Sequence, residues 1–124
     1  DSITISVSGN GTVLVNSANP LTGPVSAAVV QSILLVGGPG GNFIDLRGVD
    51  PAAFTNLVSI FADGSHGPDT ILGSDFGDNL LGNDGDDSLD GAGGNVSAAA
   101  RLLARALPRV ARVSDDACVD VFFI

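Results

Sequence analysis

The apolar positions of this chain change period along its length, and each change marks a different element. Ile3, Ile5 and Val7 alternate with polar residues, the period-two signature of a strand with one buried face. A Gly9-Asn10-Gly11 turn separates them from the apolar stretch 12–15, so this part reads as a β-hairpin or two sheet-forming strands. Residues 16–25 are rich in Asn, Pro, Gly and Ser and form a loop before the apolar run 29–36, a predicted strand. Asp50-Pro51, followed by Ala52, Ala53 and Phe54, places a capping residue before a proline at a first helical position, which predicts a short helical turn. Residues 56–62 supply the next strand.

From Gly64 onwards the spacing is nine. The blocks GSHGPDTIL, GSDFGDNLL and GNDGDDSLD fill residues 64–90. Each opens with glycine (Gly64, Gly73, Gly82), carries aspartate at its sixth position (Asp69, Asp78, Asp87) and an aliphatic at its eighth (Ile71, Leu80, Leu89). Turn, ligand and core residue therefore recur once per block. Laying Ser32-Ile33 over Ser59-Ile60 brings Gly37, Gly40, Asn42 and Ile44 onto Gly64, Gly67, Asp69 and Ile71, an offset of 27 residues. Residues 37–45 are thus a degenerate copy in which Asn42 replaces the aspartate; it can make the turn and is expected to bind a cation weakly. A further block begins at Gly91, but Val96 occupies its sixth position and the repeat stops.

Charge changes what the blocks mean. The net charge is −9, yet every acidic residue is Asp, Glu and Lys do not occur, and all five cations are Arg. A short carboxylate fits a tight turn beside backbone carbonyls, where a hard cation finds oxygen ligands at about 2.3–2.6 Å. Asp and Gly also favour turns without any metal, so composition leaves cation binding and ordinary turn chemistry evenly balanced. Strict periodicity shifts the balance towards binding. Eight of the fourteen aspartates fall between residues 63 and 90, where their repulsion opposes compaction unless a cation offsets it.

The pattern G-G-x-G-x-D-x-U-x, with U a large aliphatic, belongs to calcium-binding nonapeptide repeats. Residues 64–94 resemble the RTX, or hemolysin-type, calcium-binding repeat proteins. The chain departs from that pattern at Phe76, which takes a fourth-position glycine's place, and at Ser65, Ser74 and Asn83, where the family prefers glycine. The resemblance implies an all-β chain built as a parallel β-roll or β-solenoid, with two blocks completing an 18-residue coil and alternate turns on one edge. Asp69 and Asp87, 18 residues apart, then stack with a calcium ion between their turns. Gly64, Gly67, Gly82 and Gly85 shape those turns, and Asp84 is a further candidate ligand. Asp78 falls on the opposite edge, where the positions 18 before and after it are Ile60 and Val96, so its site is half complete. Asp75, Asp86 and Asp90 rank lower, as added ligands or as sources of negative potential.

The expected organisation is a β-rich, irregular solenoid flank over residues 1–63, a calcium-binding roll over residues 64–95, and a partly helical tail over residues 96–124. The tail holds four of the five Arg residues and the single Cys118, favours helix over residues 97–107, and is interrupted by Pro108. Its ending, Asp120-Val121-Phe122-Phe123-Ile124, is similar to signals read by type I secretion machinery. Capping of the solenoid end is the other reading of the tail. The absence of an initiating Met suggests a piece of a longer chain.

An acidic chain without a basic cluster on its main domain is not expected to bind nucleic acid. No 18-residue apolar run is present, so no membrane span is expected. His66 reads as a solvated loop residue, and no zinc, phosphate-loop or Ser/His/Asp motif is recognisable. The sequence therefore reads as a non-enzymatic calcium module that folds on binding and stabilises a larger secreted or extracellular protein. An adhesive surface module, whose partner the sequence does not name, and an accessory domain of a secreted hydrolase are the alternatives.

Overall fold

The computed structural model describes residues 1–93 and the strand Arg112–Val113. The described residues are all-β, and their only helical element is a single 3-10 turn at Ala27–Val29. The strands are β1 (Ser2–Val7), β2 (Val13–Val15), β3 (Ser32–Val36), β4 (Phe43–Asp45), β5 (Ser59–Asp63), β6 (Thr70–Leu72), β7 (Asp78–Leu81), β8 (Ser88–Asp90) and β9 (Arg112–Val113). They form a sheet of order β2-β1-β4-β6-β8-β9 and a second of order β3-β5-β7. From β3 to β8, successive strands alternate between the two sheets, and every pairing among them is parallel.

The expected hairpin forms. β1 and β2 pair antiparallel, with Val7 opposite Val13. The 27-residue offset is a physical register: Ser32 pairs with Ser59, Ile33 with Ile60, and Ile44 with Ile71. From Ile60 onwards the offset shortens to 18, as Ile60 pairs with Asp78, Ile71 with Leu89, and Ala62 with Leu80. The longer spacing accommodates a loop that folds inward: Leu46, Val49, Phe54 and Leu57 are all buried. Within it, Asp50 caps the Ala52 N–H at 2.8 Å, and its carbonyl accepts from Ala53 and Phe54 at 3.0 and 2.9 Å. Cap and proline thus make one closed turn but no helix, because the following residues turn inward to bury Phe54.

A strand of three residues has one inward side chain, and that residue carries the packing. Ile44, Ile71 and Leu89 form a column in one sheet, while Ile60, Ala62 and Leu80 face them from the other, all in one core. The blocks 64–72 and 82–90 share one burial pattern, with positions one, six and eight buried; block 73–81 repeats it and also buries Ser74. The expected helix over residues 97–107 and the secretion-like ending lie outside the described residues. β9 adds to the outer edge of β8, with Ser88 opposite Arg112.

Because β4, β6 and β8 each contribute a single large core side chain, truncating one opens a cavity that its short neighbours cannot fill. Ile71→Ala is expected to lower unfolding free energy by about 2–5 kcal/mol in urea titration. Leu34→Ser, on the exposed face of β3, should change it by no more than about 0.5 kcal/mol. Equal losses from the two would contradict this division of the sheet faces.

Candidate metal centre

Each nine-residue block brings its sixth residue to the start of a strand and its first residue to the end of the preceding one. The side chain of the sixth residue folds back over the first. A Cβ added to Gly73 would lie 2.5 Å from Asp78 Oδ2, and Cβ atoms at Gly64 and Gly82 would collide with the carboxylates of Asp69 and Asp87. Glycine opens each block because a carboxylate occupies the space a side chain would need.

On one edge these residues form a column, Asn42, Asp69 and Asp87, all buried. Its members are linked through the backbone. The Asn42 N–H donates to Asp69 Oδ1 at 2.7 Å, and the Asp69 N–H donates to Asp87 Oδ1 at 2.9 Å. Each carboxylate thus satisfies the N–H of its counterpart in the preceding repeat. Asp69 Oδ2 has no hydrogen-bond partner among the described residues, although Asp69 is only 1% exposed. A buried carboxylate oxygen without a donor is costly, and a cation is the chemical group that would offset that cost.

The turns of this edge share a shape that the 73–78 turn lacks. The fourth-position residues Gly40, Gly67 and Gly85 have φ of 90°, 109° and 149°, and the second-position Ser65 and Asn83 have φ of 77° and 66°. Ser65 and Asn83 therefore hold a left-handed conformation at the position where the resemblance expects glycine. Asp63 supports both, accepting from the Ser65 N–H at 2.8 Å and from the Asn83 side-chain amide. Asp45 and Asp90 close equivalent turns two residues on, at Arg47 N–H and Ala92 N–H, each at 3.0 Å. Arg47 also grips Asp45 in a two-pronged contact, which holds that carboxyl below the usual carboxylate range.

No residue of the 73–78 turn has positive φ. Phe76, in the place of the fourth glycine, does not enter that region, where a bulky side chain is strained. The turn instead closes on Ser74, whose N–H and Oγ–H donate to Asp78 at 2.7 and 2.9 Å. Its Oγ also accepts from the Phe76 N–H at 3.0 Å. Asp78 lies beside Ile60 in the second sheet, as counting 18 residues places it. Burial pushes its carboxyl up to about 6 against the two Ser74 hydrogen bonds, which act in the opposite direction.

The remaining aspartates are more superficial. The Asp84 carboxylate is exposed and lies 3.7 Å from His66 Nε2, while the Asp84 backbone joins the 64–69 turn by accepting from Gly67 N–H at 2.6 Å. Asp75 and Asp86 are exposed. His66 is solvated, as expected, with its side chain 73% exposed. Among the described residues no three His, Cys, Asp or Glu side chains converge as a metal cluster. Any cation held by the column would rely on the Asp69 and Asp87 carboxylates together with backbone carbonyls of the 64–69 and 82–87 turns.

Sequence reasoning missed three participants: Asn42 as a donor, Ser74 as the cap of Asp78, and Asp63 as the brace of two left-handed residues. The signal for Ser74 was Phe76, since a turn barred from positive φ must close by another route. Among the described residues no helix is long and apolar enough to cross a membrane. No family model, curated protein or solved structure matches the chain.

Ser65→Gly should raise stability by up to about 1 kcal/mol by relieving the left-handed serine, whereas Ser74→Gly should lower it by about 1–3 kcal/mol by stripping a donor from a buried carboxylate. Both are read by denaturant titration. Asp78 has a folded value of about 6, above its ordinary 3.8, so its stabilising contribution is complete below about pH 4 and is lost as pH rises through 6. Asp78→Asn, which keeps a neutral group there, should abolish that part of the stability difference between pH 4 and 7, of order 3 kcal/mol. An unchanged pH profile would refute the assignment.

Proposed function

We propose that this chain is a non-enzymatic calcium-binding repeat module, a β-roll of the RTX kind, whose folding is coupled to the ion and which stabilises a larger secreted protein. One observation carries the reading: Asp69 buries a carboxylate oxygen that no donor among the described residues meets, in a column with Asp87 at the repeat's 18-residue spacing. Oxygen donors from carboxylates and turn carbonyls suit a hard cation such as calcium better than a soft one. The alternation of short parallel strands between two sheets is consistent with successive half-coils of a roll.

The slim core supplies limited burial, so metal affinity becomes folding free energy. Extracellular calcium modules bind with dissociation constants of about 10⁻⁴–10⁻³ M, which would leave the repeats loose in a calcium-poor cytosol and ordered outside. Such a switch suits export in an unfolded state. The pairing of β9 with β8 supports the tail as a cap on the final strand, since unpaired edges and open core would otherwise end the sheet.

An adhesive surface module is a second reading, favoured by the apolar outer face of the β3 edge. Leu34 and Val36 are 68% and 59% exposed there, and calcium would stiffen the scaffold beneath them.

Calcium titration followed by circular dichroism tests the proposal. The β signal should develop with added calcium, and Asp69→Ala and Asp87→Ala should raise its midpoint by at least about tenfold, each tenfold being about 1.4 kcal/mol. Asp78→Ala should shift the midpoint less. Full β structure in chelator would refute calcium-coupled folding, and a larger midpoint shift from Asp78→Ala would refute the edge assignment.

A further inference from the structure

The degenerate repeat contains a site of its own. Asn42 Nδ2 is surrounded by four oxygens: the carbonyls of Gly38 at 2.8 Å, Gly40 at 2.7 Å and Gly64 at 2.9 Å, and Asp69 Oδ1 at 3.1 Å. The surroundings fix the amide's orientation, because an atom facing four acceptors must be the donor. These oxygens come from two successive turns of one edge and include a carboxylate, the kind of donor set that a hard cation takes. Asn42 is 5% exposed, so water has little part in the arrangement.

We propose that the Asn42 amide is a built-in substitute for a divalent cation, closing the junction between the 37–42 and 64–69 turns, and that this junction is a latent metal site opened by a carboxylate at position 42. The reasoning is one of charge and hydrogens. An ionised carboxylate here would turn an oxygen towards three carbonyls and another carboxylate, and like partial charges can share that space only around a cation. An amide presents two N–H hydrogens to the same oxygens and joins the turns directly, with no change in net charge. The comparison lies one repeat on. There the register puts Asp69 at the place of Asn42, and Asp69 Oδ2 is buried without a donor.

The consequence is a division of labour along the edge. The Asn42 junction closes at any calcium concentration and gives the following repeat a formed turn to dock on, while the Asp69–Asp87 junction waits for the ion. The 27-residue step and its inward loop thus sit on the cation-independent side. This inference deepens the calcium reading of the same edge and rests on it for the second junction only.

The test is a pair of exchanged side chains in the full chain, with bound calcium counted by titration calorimetry. Asn42→Asp should bind one more calcium than the parent chain, and its folding midpoint should move to about tenfold higher calcium. Asp69→Asn should bind one fewer and fold at lower calcium. If Asn42→Asp folds without an added ion, the latent site does not exist. Should Asn42→Asp not fold at any calcium level, proton exchange in the folded parent chain decides: the Asn42 Nδ2 protons should exchange at least about 100-fold more slowly than those of a free asparagine amide, and exchange at the free rate overturns the proposal. A parent chain that binds no calcium removes the Asp69–Asp87 reading, yet an Asn42→Asp chain that then binds one ion still upholds this one.

Discussion

The turns 37–42, 64–69, 73–78 and 82–87 are each organised around a polar side chain buried where a side chain on the block's opening glycine would otherwise lie. Burying a carboxylate or amide is expensive unless its atoms meet donors, acceptors or a counter-charge. That cost dictates the rest of the repeat. The block must open with glycine to leave room, the preceding repeat must offer an N–H, and the strand that follows must be short so that the next turn returns to the same edge. The aliphatic at the eighth position then has one place to go, the shared core.

A core built in this way is narrow. Ile44, Ile71 and Leu89 on one side meet Ile60, Ala62 and Leu80 on the other, and the inward loop of residues 46–57 adds larger bulk, through Phe54. Burial therefore supplies a modest driving force, and the balance at the edges decides how firmly successive repeats hold. A turn that satisfies its own polar group, as Ser74 does for Asp78, contributes to cohesion unaided, and the Asn42 Nδ2 does the same for its carbonyls although Asn42 Oδ1 is buried without a partner among the described residues. The turn at Asp69 leaves Oδ2 without a donor among the described residues and bears the cost of that burial.

The turns consequently differ in chemistry although their blocks look alike. At 64–69 and 82–87, left-handed residues at positions two and four draw the turn around a buried column. At 73–78, a single bulky substitution removes the left-handed step, and a serine hydroxyl and amide close the turn instead. Three chemically similar blocks thus give turns of two kinds.

Period and burial were legible in the residues themselves. Nine-residue spacing sets how often the chain reverses, so the glycine, the aspartate and the aliphatic of each block had to fall at equivalent places. Counting also placed Ser32 beside Ser59 and Asp78 beside Ile60. Tertiary structure alone decided which atoms pair. The four oxygens at the Asn42 amide arrive from two turns, and the Asp63 carboxylate braces residues 65 and 83 from different repeats. Asp50-Pro51 carries a helix signal, yet the demand for buried apolar surface drew Phe54 inward after one turn. Spacing is a property of the chain and can be read along it, whereas a hydrogen bond between repeats depends on the separation of atoms that only folding brings together.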